Sequence, residues 1–192
     1  RKESSAASDV YKRQDMDPQT FLSTLMLLIV GGNDTTRNSI SGGLLALLDN
    51  PLEMKKLKEN PALVTSMVPE IIRWQTPLTS MRRTSTRPVV LNGQEIPEGA
   101  KIIMWYLSGN RDETVIPNAA SFIIDRANPR HHLSFGFGIH RCMGNRLAEL
   151  QLKILWEEIL SRSMTIELQG EPLRTYSNAV RGFTHLPVRI VA

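Results

Sequence analysis

A single cysteine, Cys142, occurs in this chain of 192 residues, and its neighbours are those of a chemically active thiol. It lies in Phe135-Gly136-Phe137-Gly138-Ile139-His140-Arg141-Cys142-Met143-Gly144. Gly136 and Gly138 let the backbone turn tightly and lie close to a flat ligand. A helix-forming run follows from Asn145, so backbone N–H groups and a helix N-terminus can stabilise a thiolate at Cys142. A cysteine without such a setting reads as a small buried hydrophobe; ten consecutive residues of this pattern point to ligation instead. A thiolate held by amide hydrogen bonds suits a haem iron, to which it donates electron density that favours O–O cleavage. The rival, a cysteine nucleophile activated by His140, fails because side chains two apart around a glycine loop rarely converge.

Other residues have weaker chemistry when read alone. Glu70 and Arg73 are three apart on one predicted helix face and can pair directly, which by itself is equally the pattern of a solvated salt bridge. His131 and His132 are adjacent, so their side chains diverge, and no further His or Cys lies nearby to complete a metal site. The patch Gly31-Gly32-Asn33-Asp34-Thr35-Thr36 interrupts an apolar helical run, where Ser, Thr and Asp can bend a helix by bonding to its carbonyls.

The elements that must position these residues are partly legible. Asp17 as N-cap and Pro18 at the first position open a helix expected to reach Leu48. At roughly 30 residues it would run roughly 45 Å, and a helix so long and apolar has to cross the middle of a larger protein. Asn50-Pro51 with Glu53 predicts a capping box and a short helix to Glu59; Asn60-Pro61 opens another. Pro69 is expected to start the helix carrying Glu70 and Arg73, since proline is tolerated in a first turn. Asn92-Gly93 predicts a hairpin, followed by a strand over residues 100–107. Residues 145–162 form a strong helix with one narrow charged stripe, expected to be nearly enclosed. The tail, 164–192, carries short strand-like runs. Residues 1–14 are polar and aperiodic, and are read as a disordered or foreign lead-in.

Composition narrows the class. The apolar fraction of 41% and charged fraction of 22% are those of an ordinary globular domain. A net charge of +4 without a Lys/Arg run argues against a nucleic-acid partner. One cysteine cannot form an internal disulfide, which favours a reducing compartment. The most apolar stretch, Phe21 to Val30, is too short to span a bilayer, so a cytoplasmic protein without stable membrane insertion is expected.

The loop Phe135–Gly144 resembles the haem-binding signature of the cytochrome P450 family, and the family's other motifs follow in order over residues 15–192. The resemblance implies the C-terminal portion of that fold: mainly α with a small β-sheet region. It implies haem b as cofactor, with Cys142 as iron ligand and Phe135, Gly136, His140, Gly144 and Arg82 holding the macrocycle or its propionates. Residues 31–36 resemble the family's acid–alcohol motif. Cleaving dioxygen needs two protons at its outer oxygen; Thr35 would hold the oxygen and its water, and Asp34 would relay protons. By the same resemblance Glu70 and Arg73 are buried and locked to Arg126, a structural role. Leu27, Val30, Gly31, Leu78, Ala179 and Val180 match positions facing a substrate.

Longer runs, among them residues 27–47 and 132–159, resemble bacterial alkane terminal hydroxylases of this family. The implied reaction places one oxygen atom of dioxygen on the terminal carbon of a medium-chain alkane or fatty acid. Electrons would come from a ferredoxin and ferredoxin reductase, docking near Arg130, Arg141, Arg146 and Lys153. The same frame in relatives takes sterols or terpenes, and an inactive helical interaction module is the remaining alternative.

Overall fold

A computed structural model describes residues 16–191; the lead-in expected over 1–14 lies outside them. Arg1–Asp34 and Thr35–Ala192 form two compact units, each described by itself. The first holds the start of helix α1, Pro18–Asp49. Asp17 caps it as the sequence predicts, its Oδ1 accepting from the N–H groups of Gln19 at 3.1 Å and Thr20 at 3.0 Å. Leu22, Leu27 and Val30 are exposed there. The remainder of α1, in the second unit, buries Leu45, Ala46 and Leu47.

Helix α2, Pro51–Glu59, forms without the expected capping box. Asn50 instead donates its Nδ2 to the Ala46 carbonyl at 2.7 Å. Glu53 accepts from the Ile124 N–H at 2.9 Å and pairs with Lys56 at 2.8 Å, so its carboxylate is occupied by other donors. A 3₁₀ turn, Pro61–Leu63, leads into α3, Val64–Gln75. Proline 69 therefore sits inside a helix that begins five residues earlier than predicted. An interior proline costs about 3 kcal/mol. Its neighbours Met67, Val68, Ile71 and Ile72 are all buried, and each such side chain contributes about 1.5–3 kcal/mol; packing wins.

The strands form four two-stranded antiparallel pairs: β1 (Ser80–Thr84) with β4 (Lys101–Trp105), β2 (Val89–Leu91) with β3 (Gln94–Ile96), β5 (Thr165–Leu168) with β8 (Val188–Val191), and β6 (Leu173–Arg174) with β7 (Phe183–His185). Asn92 and Gly93 take φ of 48° and 78°, the left-handed pair of a tight hairpin turn. Strand β4 stops at Trp105, two residues short of expectation, and turns into α4, Tyr106–Gly109. Thr79, just before β1, still accepts the Leu107 N–H at 3.1 Å but gives its own N–H to the Ala179 carbonyl at 3.0 Å.

Helix α5, Asn145–Ser161, packs Leu152 and Trp156 into one core with Leu47, Leu57, Ile71, Phe122 and Ile124. It is not enclosed, contrary to the sequence expectation: Leu147, Leu150 and Ile154 are at least half exposed, because the described residues cover only its α3 side. The architecture is mainly α with small sheets. Among the described residues no helix is long and apolar enough to cross a membrane.

Candidate functional site

The cysteine loop takes its shape from two glycines. Gly136 and Gly138 adopt φ of 70° and 78°, a region costly for other residues. A Cβ at Gly136 would also stand 3.2 Å from the Tyr106 hydroxyl. The Gly136 N–H bonds the Leu133 carbonyl at 2.8 Å, the Cys142 N–H bonds the Phe135 carbonyl at 2.8 Å, and the Arg141 N–H bonds the Gly138 carbonyl at 3.0 Å. These bonds pin the cysteine three residues before α5. Gly144 ends the loop with its Cβ position 3.9 Å from Cys142 Sγ. Phe135 packs against the core, and His140 sits exposed in a 3₁₀ turn, Gly138–His140.

Cys142 is exposed, and so are Phe137 at 81%, Ile139 at 97% and Met143 at 84%. Three large apolar side chains showing in seven residues form a patch that water disfavours and a flat apolar ligand would cover. With a thiol among them and glycine backbone close by, the residues present fit a haem group.

A charged cluster, buried except at the edge of Arg126, lies under loop 117–126. Glu70 and Arg73 are both fully buried. Arg73 donates Nε to Glu70 Oε2 at 2.7 Å and Nη2 to Oε1 at 2.8 Å. Arg126 adds Nε to Oε2 at 3.1 Å and Nη2 to Oε1 at 3.3 Å, and the Ile123 N–H gives a further bond at 2.9 Å. The remaining Arg73 donors reach the carbonyls of Asn110, Ala119 and Ser121 at 2.7, 2.9 and 2.9 Å. Glu70, Arg73 and Arg126 are thus brought together, and the loop 117–126 is wrapped around them.

Asn110, fully buried, was not singled out from the sequence. Its Nδ2 donates to Thr76 Oγ1 at 2.9 Å and Ser134 Oγ at 2.8 Å, and its Oδ1 accepts the Leu133 N–H at 2.6 Å. It therefore joins the root of the cysteine loop to the end of α3. Arg111 was missed as well: its guanidinium lies 4.2 Å from the Trp74 ring centroid and donates to the Trp74 carbonyl at 2.8 Å. Burial, then the charges of Arg73 and Arg181, lower its pKa to about 10. His132 is pushed down to about 4, chiefly by burial and then by Arg73 and Arg141; its Nδ1 accepts the Ser134 N–H at 3.3 Å. No local sequence signal marks the Asn110 and Arg111 contacts, which join residues 23 to 37 apart.

The other expected positions fall in several places. Arg82, exposed in β1, pairs across the ladder with Ile103, and Arg83 with Ile102. Leu78 and Val180 meet as an antiparallel bridge, with Ala179 beside them. Asp34 is partly buried; a Cβ at Gly31 would meet open space. Thr35 offers its carbonyl to Ser39 Oγ at 2.8 Å, the helix-bending bond that the sequence allows. Of the basic positions near the loop, Arg130 is paired with Glu149 at 2.9 Å and Lys153 with Glu157, while Arg141 and Arg146 are exposed.

Comparisons with known proteins match this geometry. The chain is similar to a solved structure, cytochrome P450-153 from Novosphingobium aromaticivorans, with 50% identity and a TM-score of 0.88, covering 92% of this chain and 45% of that one. It is 44% identical over 164 residues to putative cytochrome P450 126 of Mycobacterium tuberculosis, covering 85% of this chain and 39% of the relative. It is 39% identical over 171 residues to linalool 8-monooxygenase of Pseudomonas putida, covering 89% and 42%. The chain thus spans less than half the length of each. The Cytochrome P450 family model matches residues 3–189, and with the cysteine loop and the buried Glu70–Arg73–Arg126 cluster placed as described, this chain belongs to the cytochrome P450 family.

Proposed function

We propose that this chain is the thiolate-bearing portion of a haem monooxygenase that hydroxylates an aliphatic substrate at or near a terminal carbon. The observation that carries the reading is the exposed Cys142, pinned by its own N–H to Phe135, with exposed Phe137, Ile139 and Met143 in the same loop. Cys142 Sγ would hold the iron of haem b. Gly136 lets the backbone lie against the macrocycle, and Arg82 and His140 supply cations for its propionates. When bound, the haem supplies dioxygen activation, which a thiolate favours.

The chain's own side chains do the rest. Thr35 Oγ1 holds a water and donates a proton towards the reacting oxygen; the Asp34 carboxylate replaces that proton from solvent. Leu78, Ala179 and Val180 give an aliphatic chain apolar surface, and Leu27, Val30 and Gly31 are proposed as substrate contacts by the family resemblance alone. A soluble ferredoxin with its reductase is the proposed electron source. Arg141 and Arg146 are the proposed docking cations, since Arg130 and Lys153 are engaged by carboxylates.

The test is spectroscopic and then chemical. The haem-loaded full-length protein should give the red-shifted Soret band of a thiolate-ligated carbonyl complex, absent in Cys142→Ala. Incubation with n-octane, ferredoxin and reductase should yield the terminal alcohol. Turnover of linalool in preference to n-octane would favour the terpene reading, which the likeness to linalool 8-monooxygenase supports. A normal Soret position in the carbonyl complex would sink the thiolate assignment.

A further inference from the structure

The end of α3 holds a polar junction that none of the roles above uses. Gln75, its last residue, is 2% exposed, and a buried amide needs partners. Its Nε2 donates to the Arg181 carbonyl at 2.7 Å. Arg181 answers in kind: its N–H bonds the Pro77 carbonyl at 2.8 Å. Its guanidinium reaches the carbonyls of Trp74 at 2.8 Å and Gln75 at 3.3 Å, which the helix end leaves without donors of its own; Arg111 also reaches the Trp74 carbonyl. One residue pair further on, the Thr79 N–H bonds the Ala179 carbonyl at 3.0 Å, and Thr79 Oγ1 donates to the Asn178 carbonyl. Ser177 Oγ closes the turn, accepting the N–H groups of Ala179 and Val180 at 3.1 Å each. Between these fixed points Leu78 and Val180 face each other as a bridge.

The other side of the junction is α1. A Cβ at Gly182 would lie 2.5 Å from Asn38 Oδ1, and a Cβ at Gly42 would lie 2.1 Å from Gln75 Oε1. Asn38 is itself 3% exposed and follows Thr35 by three residues. The turn 177–182 therefore has no slack in either direction. Gln75 pulls it towards α3, and the bare backbone of Gly182 lets it approach α1.

We propose that Gln75 and Gly182 are positioning residues that set how far Val180 and Leu78 advance, and through them which carbon of the substrate is oxidised. Neither residue touches substrate; both are buried behind the pair that would. The inference rests on the proposed reading of Leu78 and Val180 as substrate contacts. A misfit of one methylene in an apolar pocket is worth about tenfold in discrimination, so a small retreat of the turn is enough to change the product.

The experiment uses the full-length haem-loaded protein with n-octane as probe, and reads the ratio of terminal to subterminal alcohol beside haem content and the carbonyl spectrum. Gln75→Met keeps the side-chain volume and removes the donor. It should shift the ratio about tenfold with haem content and Soret position unchanged. Gly182→Ala should shift it too, and Asn38→Ala in the same chain should restore it by opening the space. Should Gly182→Ala load no haem, Gln75→Met and the Asn38→Ala/Gly182→Ala pair decide the matter. An unchanged ratio in Gln75→Met and Gly182→Ala, while Leu78→Phe and Val180→Phe alter it, overturns the positioning role alone. If Leu78→Phe and Val180→Phe leave the ratio unchanged as well, the substrate-contact reading falls with it.

Discussion

Glu70 and Arg73 share a two-pronged ion pair, 2.7 and 2.8 Å, in which neither side chain has any contact with solvent. Both charges have left water entirely, so what they gain from one another must offset a large desolvation cost. The extra donors from Arg126 and Ile123 occupy the remaining carboxylate lone pairs. The cluster is best understood as a fastening for loop 117–126, whose carbonyls it gathers.

Breaking that pair should be severe. Glu70→Ala leaves Arg73 buried without its partner and should cost about 3–5 kcal/mol. Replacing both, as in Glu70→Leu/Arg73→Met, should cost less than the single change. Urea unfolding of the parent protein and the two variants measures this; a Glu70→Ala loss under about 1 kcal/mol would contradict the account.

Asn110→Ala removes two donors and one acceptor from a fully buried position, at about 1–3 kcal/mol for the groups left unpaired. The effect should be local as well as global. Hydrogen exchange at the Leu133 amide, which Asn110 Oδ1 accepts at 2.6 Å, should accelerate more than exchange within α5. Uniform acceleration would show that Asn110 does not anchor the root of the loop.

Gly136→Ala and Gly138→Ala make a controlled comparison. Both residues have left-handed φ, near 70° and 78°, so both variants incur backbone strain of about 1–2 kcal/mol. Only at Gly136 does the new methyl group also press on the Tyr106 hydroxyl. Calorimetry should therefore find Gly136→Ala the less stable of the two; equal losses would place all the cost in the backbone.

His132 links stability to acid. Its pKa falls to about 4 when the chain folds, from about 6.5 unfolded, so the unfolded state binds more protons between those values. Stability should be level above about pH 6.5 and decline as the pH falls towards 4. His132→Gln should flatten that part of the profile. A histidine contribution that grew as the pH fell would reverse the sign and refute the buried neutral state.

Thr35→Ala should leave haem and substrate binding intact while diverting electrons from product to hydrogen peroxide. Parallel measurement of peroxide, alcohol and consumed reductant decides it. Unchanged coupling would remove Thr35 from proton delivery.

The residues with the strongest chemistry were legible from sequence because they are local. Ten consecutive positions around Cys142 encode a tight loop before a helix, and the spacing of Glu70 and Arg73 puts them on one helix face. Asp17-Pro18 and Asn92-Gly93 marked a helix start and a turn because capping and left-handed φ are properties of one or two residues. What failed was decided at a distance. Pro69 lies inside α3 because the burial of Val68, Ile71 and Ile72 outweighs one lost hydrogen bond, and Glu53 abandons Asn50 for the amide of Ile124. Asn110, Arg111 and the Gln75–Arg181 exchange join segments up to 106 residues apart, and a hydrogen bond across such a separation leaves no periodicity to read. By itself the sequence determined which side chains could ligate, relay or pair. Only the tertiary structure decided which of them are taken out of water, and burial is what turns the ordinary ion pair of Glu70 and Arg73 into the fastening of loop 117–126.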